Sequence, residues 1–438
     1  MAHASLPHST KLPLTQRRRR FRKRLLQTAI GSALVAAVFV FILRLTHQRE
    51  QRIAKEIEAD GAVVTFFSCL PDWVPYSIQT RTPFCSRIQT IDLTGRVEPL
   101  GDGAALSDRT LTDLTQLTHL NELYLQRTQL TDAGLRRLQR LTQLKTLNVN
   151  KTSISDAGLE SLSSLASLRN LGLCETNVGD AGVAHLKDLK HLVELNLAHT
   201  EITDEGLPHL RRLISLKSLS LAHTSITDAG LETVGGLENL TRLDISHTSV
   251  TDAGLRHLAS LARLDTLFLH GTRVGGNDGL HHFKSLNKLV RLELSHTEVN
   301  DQDLASLLGL TELRYLGLEN TPVTGMGLGS LTSLLRLQLD GTKITDEGLQ
   351  SLKTLTNLDT LSLDRVCVTD DGLESLRGLT RIRTLRLSNT RISDAGLEHL
   401  WGLGLLTALD LDGTQVTREG RSRLRRRLPR CKVSPEDW

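Results

Sequence analysis

LAHTSITDAGL, residues 221–231, is followed one period later by ISHTSVTDAGL, residues 245–255. Each stretch holds a His, a Thr and an Asp, residue types from which hydrolytic sites are built. The Thr at 224 has counterparts at Thr128, Thr152, Thr176, Thr200, Thr248, Thr272, Thr297, Thr321, Thr342, Thr390 and Thr414, with Val366 standing in once. Thirteen units therefore share a 24-residue spacing, apart from one added residue near VGGNDGL and a missing triplet after VTGMGLGSL. A less regular unit, Ile88 to Leu111, precedes them. An active site needs one constellation, whereas this motif stands in almost every unit, so the repetition itself argues against catalysis.

Within a unit the apolar positions keep fixed offsets, as at Leu207, Leu210, Leu213, Leu216, Leu219, Leu221, Ile226 and Leu231. The LxL at the end of the leucine series alternates as a short strand does, and a strand of three or four residues is not stable alone. Strands one period apart can stack in parallel about 4.8 Å apart, which predicts a curved solenoid with a parallel concave sheet and convex helices, an α/β fold. TDAGL then turns the chain. Thr227 is expected to cap a first helical turn, Asp228 to favour its positive end, and Ile226 and Leu231 to form a hydrophobic staple. The buried Thr column is expected to bond turn amides from coil to coil.

The pattern LxxLxLxxTxITDxGL resembles the leucine-rich-repeat family, and is most similar to the bacterial TDAGL type and to the repeats of F-box proteins. The resemblance covers about residues 86–433. QREQRIAKEIEADGAVVTF at 48–66, PDW at 71–73 and IDL at 91–93 are similar to the N-terminal cap of membrane-anchored bacterial members, and LPRCKV at 428–433 to their closing strand. It implies a horseshoe fold and a binding role without activity. An Asn ladder is replaced here by Thr, and no F-box segment is present.

Charge divides the chain further. Residues 1–24 carry eight Lys and Arg and no acid, and residues 418–438 carry eight with three acids; taking +8 and +5 from the net +4 leaves residues 25–417 at −9. LLQTAIGSALVAAVFVFIL, residues 25–43, is uncharged and long enough to cross a membrane at about 1.5 Å per residue. The denser basic cluster before it, RRRRFRKR, places the N-terminus in the cytoplasm and the repeats outside it, which suits a bacterial inner membrane facing the periplasm. The expected organisation is a basic tail (1–24), one transmembrane helix (25–43), a juxtamembrane helix and cap (44–87), the solenoid (88–417), and a C-terminal cap with a basic tail (418–438). QREQRIAKEIEA reads as a solvated spacer.

Cys69 and Cys85 would face an oxidising space, as a disulfide or as two free thiols. Cys174 and Cys367 read as small apolar repeat positions. No CxxC or Cys/His spacing suggests zinc, and no GxSxG, HExxH, P-loop or dinucleotide fingerprint occurs, so neither cofactor nor nucleic-acid partner is expected.

Side chains flanking the inward leucines project from the concave face. The larger ones are Tyr124, Arg127, Arg242, Phe268, Arg291, Tyr315, Arg336, Arg365 and Arg386, interspersed with Glu122, Glu194, Asp244, Glu293 and Glu319. Aromatic and Arg side chains dominate binding hot spots, which centres a contact with a protein or surface polymer between Phe268 and Tyr315. A signalling subunit acting through a partner is the alternative. His199, His223, His247 and His296 share one position, with His270 one residue earlier. That column either binds a metal ion, or makes binding fall as pH drops and the imidazoles charge against one another, or is a product of duplication.

Overall fold

The computed structural model describes residues 41–42, 44–58, 62–68, 86–94, 111–112 and 114–435. Two compact units divide at Ile91 and Asp92. In the first, residues 44–58 form a helix whose Ile53, Ala54 and Ile57 are buried, and Glu50 accepts the Ile88 amide at 2.8 Å. This segment therefore packs along one face, where the sequence suggested a solvated spacer. Strand β1 (Val63–Ser68) lies beside β2 (Ser86–Asp92). Among the described residues no helix is long and apolar enough to cross a membrane. The anticipated span lies mostly outside the described residues, and the Cys69–Cys85 pair wholly so.

The second unit is a solenoid. Its strands run in chain order from β3 (Glu122–Tyr124) to β16 (Lys432–Ser434), each parallel to the next. Leu219 of β7 (Ser218–Ser220) pairs with Leu195 of β6 (Glu194–Asn196) and with Leu243 of β8 (Arg242–Asp244). Register survives both irregular spacings: Leu267 of β9 (Thr266–Phe268) still opposes Leu292 of β10 (Arg291–Glu293), and Leu316 of β11 (Tyr315–Gly317) opposes Leu337 of β12 (Arg336–Gln338). The inserted residue is taken up by left-handed backbone at Gly275, Gly276 and Asp278, and the deletion by Gly325 and Gly327. A one-residue slip would turn every inward leucine outward, so the strand keeps its register and the loop absorbs the change.

The convex side departs from a row of full helices. TDAGL starts only short α turns such as Asp156–Leu159 and Asp228–Val234, which run into 3-10 segments or are replaced by them, as at Leu207–Arg212. The cause is the leucine spacing itself: Leu207, Leu210, Leu213 and Leu216 recur every three residues, and the 3-10 helix eclipses side chains at that interval. All four are 0–1% exposed. Among the described residues of this unit, the closing segment, Arg418–Arg427, makes the longer helix, after which β16 pairs with β15 (Ala408–Asp410).

The polar columns bond differently from expectation. Thr224 donates its hydroxyl to the Leu221 carbonyl of its own coil at 2.6 Å, and its counterparts do the same. The column ties each turn to itself and does not link coils. The link between coils is made by Asp: Asp204 accepts the Thr227 amide at 2.9 Å and the Thr227 hydroxyl at 2.5 Å. Thr227 also receives the Ala229 amide as a cap at 3.3 Å, but Thr131, Ser155, Thr345 and Thr369 make no such cap. At Ser155, Thr203, Thr227, Thr251, Thr369 and Thr417 the hydroxyl thus serves the preceding coil's carboxylate first. Cys367 is exposed, contrary to its reading as an apolar filler, while Cys431 is buried and its thiol is pushed up to about 11 by that burial.

Candidate binding surface

Because a strand alternates its side chains, the residues on either side of each inward leucine face outward together. Between β3 and β8 these residues are small and polar, and they line a depression of about 420 Å3. Its ends carry Tyr124 and Arg242, and its floor carries Asn148, Asn150, Asn170 and Asn196. Gly172 opens the middle: a Cβ there would lie 2.8 Å from Asn150 Oδ1 and 3.0 Å from Asn148 Oδ1.

The carboxamides are oriented by the backbone. Asn148 Oδ1 accepts the Asn150 amide at 3.0 Å, Asn150 Oδ1 the Cys174 amide at 2.7 Å, and Asn196 Oδ1 the Ala198 amide at 3.0 Å. A backbone N–H requires an oxygen opposite it, so each NH2 group is left as the free end of its side chain. The floor is thus lined by carboxamides fixed through their oxygens, and Asn150 Oδ1 and Asn148 Oδ1 lie nearest the open position above Gly172. At the rim, Tyr124 donates to Glu122 at 3.3 Å; burial and the nearby carboxylate hold its phenol above the usual range, so it stays protonated.

The second half of the face is a charged relay. Arg242 lies 4.7 Å from the Phe268 ring centroid on one side and Arg291 5.0 Å on the other; Arg291 also lies 4.1 Å from Tyr315. Alternating cations and rings in this way is favourable, about 0.5–1 kcal/mol for each exposed pair. Tyr315 donates to the buried Glu293 at 2.7 Å and meets Gln338. Burial first, and the Glu293 bond second, raise its phenol pKa. Burial raises the Glu319 carboxyl, with Asp340 and Glu293 adding like charge. Asp364 is buried beneath Arg386, 2.5 Å away.

The residues expected on the concave face thus separate. Tyr124 and Arg242 bound the depression, Phe268, Arg291 and Tyr315 form one cation and ring stack, and Arg336 pairs in register with Tyr315. Arg386 is occupied by Asp364. Arg127 and Arg365 are not strand residues: both have φ near +60°, in the turn after the strand. The depression lies over β3–β8, while the Phe268 and Tyr315 rings, farther along the face, carry arginines against them. Sequence reading passed over its floor because Asn, Ser and Gly score as unremarkable surface; the visible signal was Asn at 148, 170 and 196 within three successive strands, with Asn150 in the turn after the first.

A leucine rich repeat profile matches residues 214–274, and a second of the same description matches 116–138, 141–163, 188–207 and 330–353. Among solved structures, an internalin of Listeria monocytogenes is similar at 24% identity and a TM-score of 0.58, covering 75% of this chain and 89% of its own. A leucine-rich-repeat protein of Leptospira interrogans is similar at 20% identity and a TM-score of 0.55, covering 75% of this chain and 92% of its own. These likenesses show the fold. No protein of curated function matches the chain. With a leucine in register on every strand from β3 to β15, and two profiles matching coils at 116–138, 141–163, 188–207, 214–274 and 330–353, this chain carries leucine-rich repeats.

Proposed function

We propose that the protein is a non-catalytic interaction module, anchored in a membrane by residues 25–43 with its repeats on the extracytoplasmic side, and that it takes a protein partner in the groove over β3–β8. The observation that carries this reading is the row of Asn carboxamides whose oxygens are consumed by backbone amides. These side chains line a channel bounded by Tyr124 and Arg242, and carboxamides, which both donate and accept, suit the backbone of an extended polypeptide. Exposed Phe41, Ile42 and Leu45, at 50–61% accessibility on the described end of the first helix, support a membrane exit at that point. Orientation rests on the charge asymmetry around residues 25–43.

Proximity labelling from the solenoid of the full chain in intact cells tests the groove. Asn148→Ala with Asn196→Ala is expected to lose the labelled partner, while Phe268→Ala with Tyr315→Ala keeps it. Loss from the second pair alone would move the contact to the other half of the face, and unchanged labelling in both would remove it from the concave surface. If the groove pair instead loses binding to isolated envelope polysaccharide, the partner is a surface polymer, whose hydroxyls the same carboxamides and Tyr124 would suit. Protease cleavage of the C-terminus in spheroplasts but not whole cells supports the orientation; resistance in both refutes it.

A further inference from the structure

The residue before each ladder threonine stands in the left-handed region, a conformation that His and Asn tolerate better than bulky residues. At His199, His223, His247 and His296 φ is 53–57°; in the remaining coil Gly271 takes the position and His270 stands one residue earlier. The five rings form an unbroken row, with successive centroids 3.9, 4.1, 4.7 and 4.8 Å apart. A Cβ at 271 would lie 2.5 Å from His247 Nδ1, so the glycine makes room for the row to pass. Among the described residues no group of three or more His, Cys, Asp or Glu side chains is placed to hold a metal ion.

The coils hold the rings side by side. His199, His223, His247 and His296 each donate their amide to the next coil, to the carbonyls of Ala222, Ser246, His270 and Glu319, at 2.7–2.9 Å. Charged imidazoles therefore cannot relax by moving their backbones apart. Around them, Glu175 pairs with Lys151 at 2.6 Å, with Arg127 beyond, and Asn320 meets His296 Nε2 at 3.0 Å. On the strand side Asp244 accepts the Ser246 amide, and Glu293 is held by Tyr315 and Ser295. Glu201, Arg273 and Glu298 follow the ladder threonines of the same coils. Glu175 acts on His199, Asp244 on His223 and His270, and Glu293 on His270, but at His223 and His270 burial and the neighbouring imidazoles outweigh these carboxylates.

We propose that the row is an interaction surface for an acidic, extended peptide segment of a partner, engaged when the medium turns mildly acidic. Protonation converts a neutral file of rings into closely spaced cations that a line of carboxylates would neutralise. A narrow segment fits better than a broad polyanion, because the acidic body, at −9 over residues 25–417, repels the latter. Burial, and then the neighbouring imidazoles, lower the pKa of His223 and His270, so charging is gradual and continues below the usual histidine range. The row lies outside the strands and the inference does not depend on the groove.

The test uses the full chain in an uncharged detergent and a rhodamine-labelled poly-aspartate peptide, followed by fluorescence anisotropy at about pH 8 and about pH 5.5. Affinity is expected to rise about tenfold on acidification. H199N, H223N and H247N together should abolish that rise; Asn already occupies the equivalent left-handed position at Asn320 and Asn389. H185N, H191N and H209N together, all outside the row, should keep it. Binding by the arginine-rich 418–432 segment is independent of pH in this range and adds equally at both values, so the rise is read as the difference between the wild type and the ladder variant. An equal rise in the ladder variant, or none in the wild type, overturns the proposal, and a rise with polyphosphate but not poly-aspartate overturns the peptide assignment. Should the triple variant not fold, H223N alone is expected to give a smaller rise, and an unreduced rise would overturn the proposal. Loss of the rise in the ladder variant with groove labelling intact separates this surface from the groove.

Discussion

Asp228 and Thr251, in adjacent coils, are joined twice: the Thr251 amide donates to Asp228 Oδ1 at 2.8 Å and its hydroxyl to Oδ2 at 2.6 Å. The same pair recurs at Asp180 and Thr203, Asp346 and Thr369, and Asp394 and Thr417. Where Gly275 replaces the threonine, only the amide remains, and Asp252 Oδ2 is buried without a hydrogen-bond partner.

That difference predicts unequal costs. Asp228→Ala removes two charge-assisted bonds and leaves a donor pair unsatisfied, and should cost roughly 2–3 kcal/mol in urea unfolding. Asp252→Ala removes one bond together with an orphaned oxygen, so about 1 kcal/mol or less is expected. Equal losses would show that the carboxylate bridges do not hold the coils together.

The glycine of TDAGL is explained by the same carboxylate. A Cβ at Gly158 would lie 2.4 Å from Asp132 Oδ1, in a helical turn where alanine is otherwise favoured by about 1 kcal/mol. Gly158→Ala should therefore destabilise the protein, and the same change made in an Asp132→Ala background should stabilise it. A double-mutant cycle by thermal melting measures this reversal of sign. A penalty unaltered by Asp132→Ala would locate the constraint elsewhere.

Glu319 carries a raised pKa, from burial first and then from Asp340 and Glu293. A carboxyl whose folded pKa exceeds its unfolded value costs stability above the unfolded pKa, fully so above the folded one, and nothing below both. Glu319→Gln should raise the melting midpoint at neutral pH, with the advantage fading as pH falls from the raised folded pKa to the ordinary carboxylate value. An advantage that persists in strong acid would trace to packing and not to charge.

Of three tyrosines, Tyr124 and Tyr315 have phenols held above the usual value. Raised phenols keep their proton while the unfolded chain loses it, so native stability should fall as pH rises above about 10. Tyr315→Phe should leave the spectrophotometric phenolate transition near pH 10 unchanged in amplitude, and a reduced amplitude there would show that Tyr315 titrates normally.

The leucine columns, the strand positions and the register were legible from the chain because every coil must bury the same residues, and one coil suffices to reveal which they are. Thr224 shows the limit: its burial followed from the pattern, but its bond to Leu221 within the same turn, and not to the next coil, depended on how tightly the backbone closes. What Asp228 touches was hidden for a related reason. Its partner lies 23 residues on while the strands repeat every 24, and that offset arises only when coils stack with a definite lateral shift. The outward Asn row, the removal of Arg127 and Arg365 from the strand face, and the file of five imidazoles likewise belong to tertiary structure. Burial of apolar side chains is written in each unit's own order of residues, whereas polar contacts between units are set by the distance and angle at which one coil meets the next.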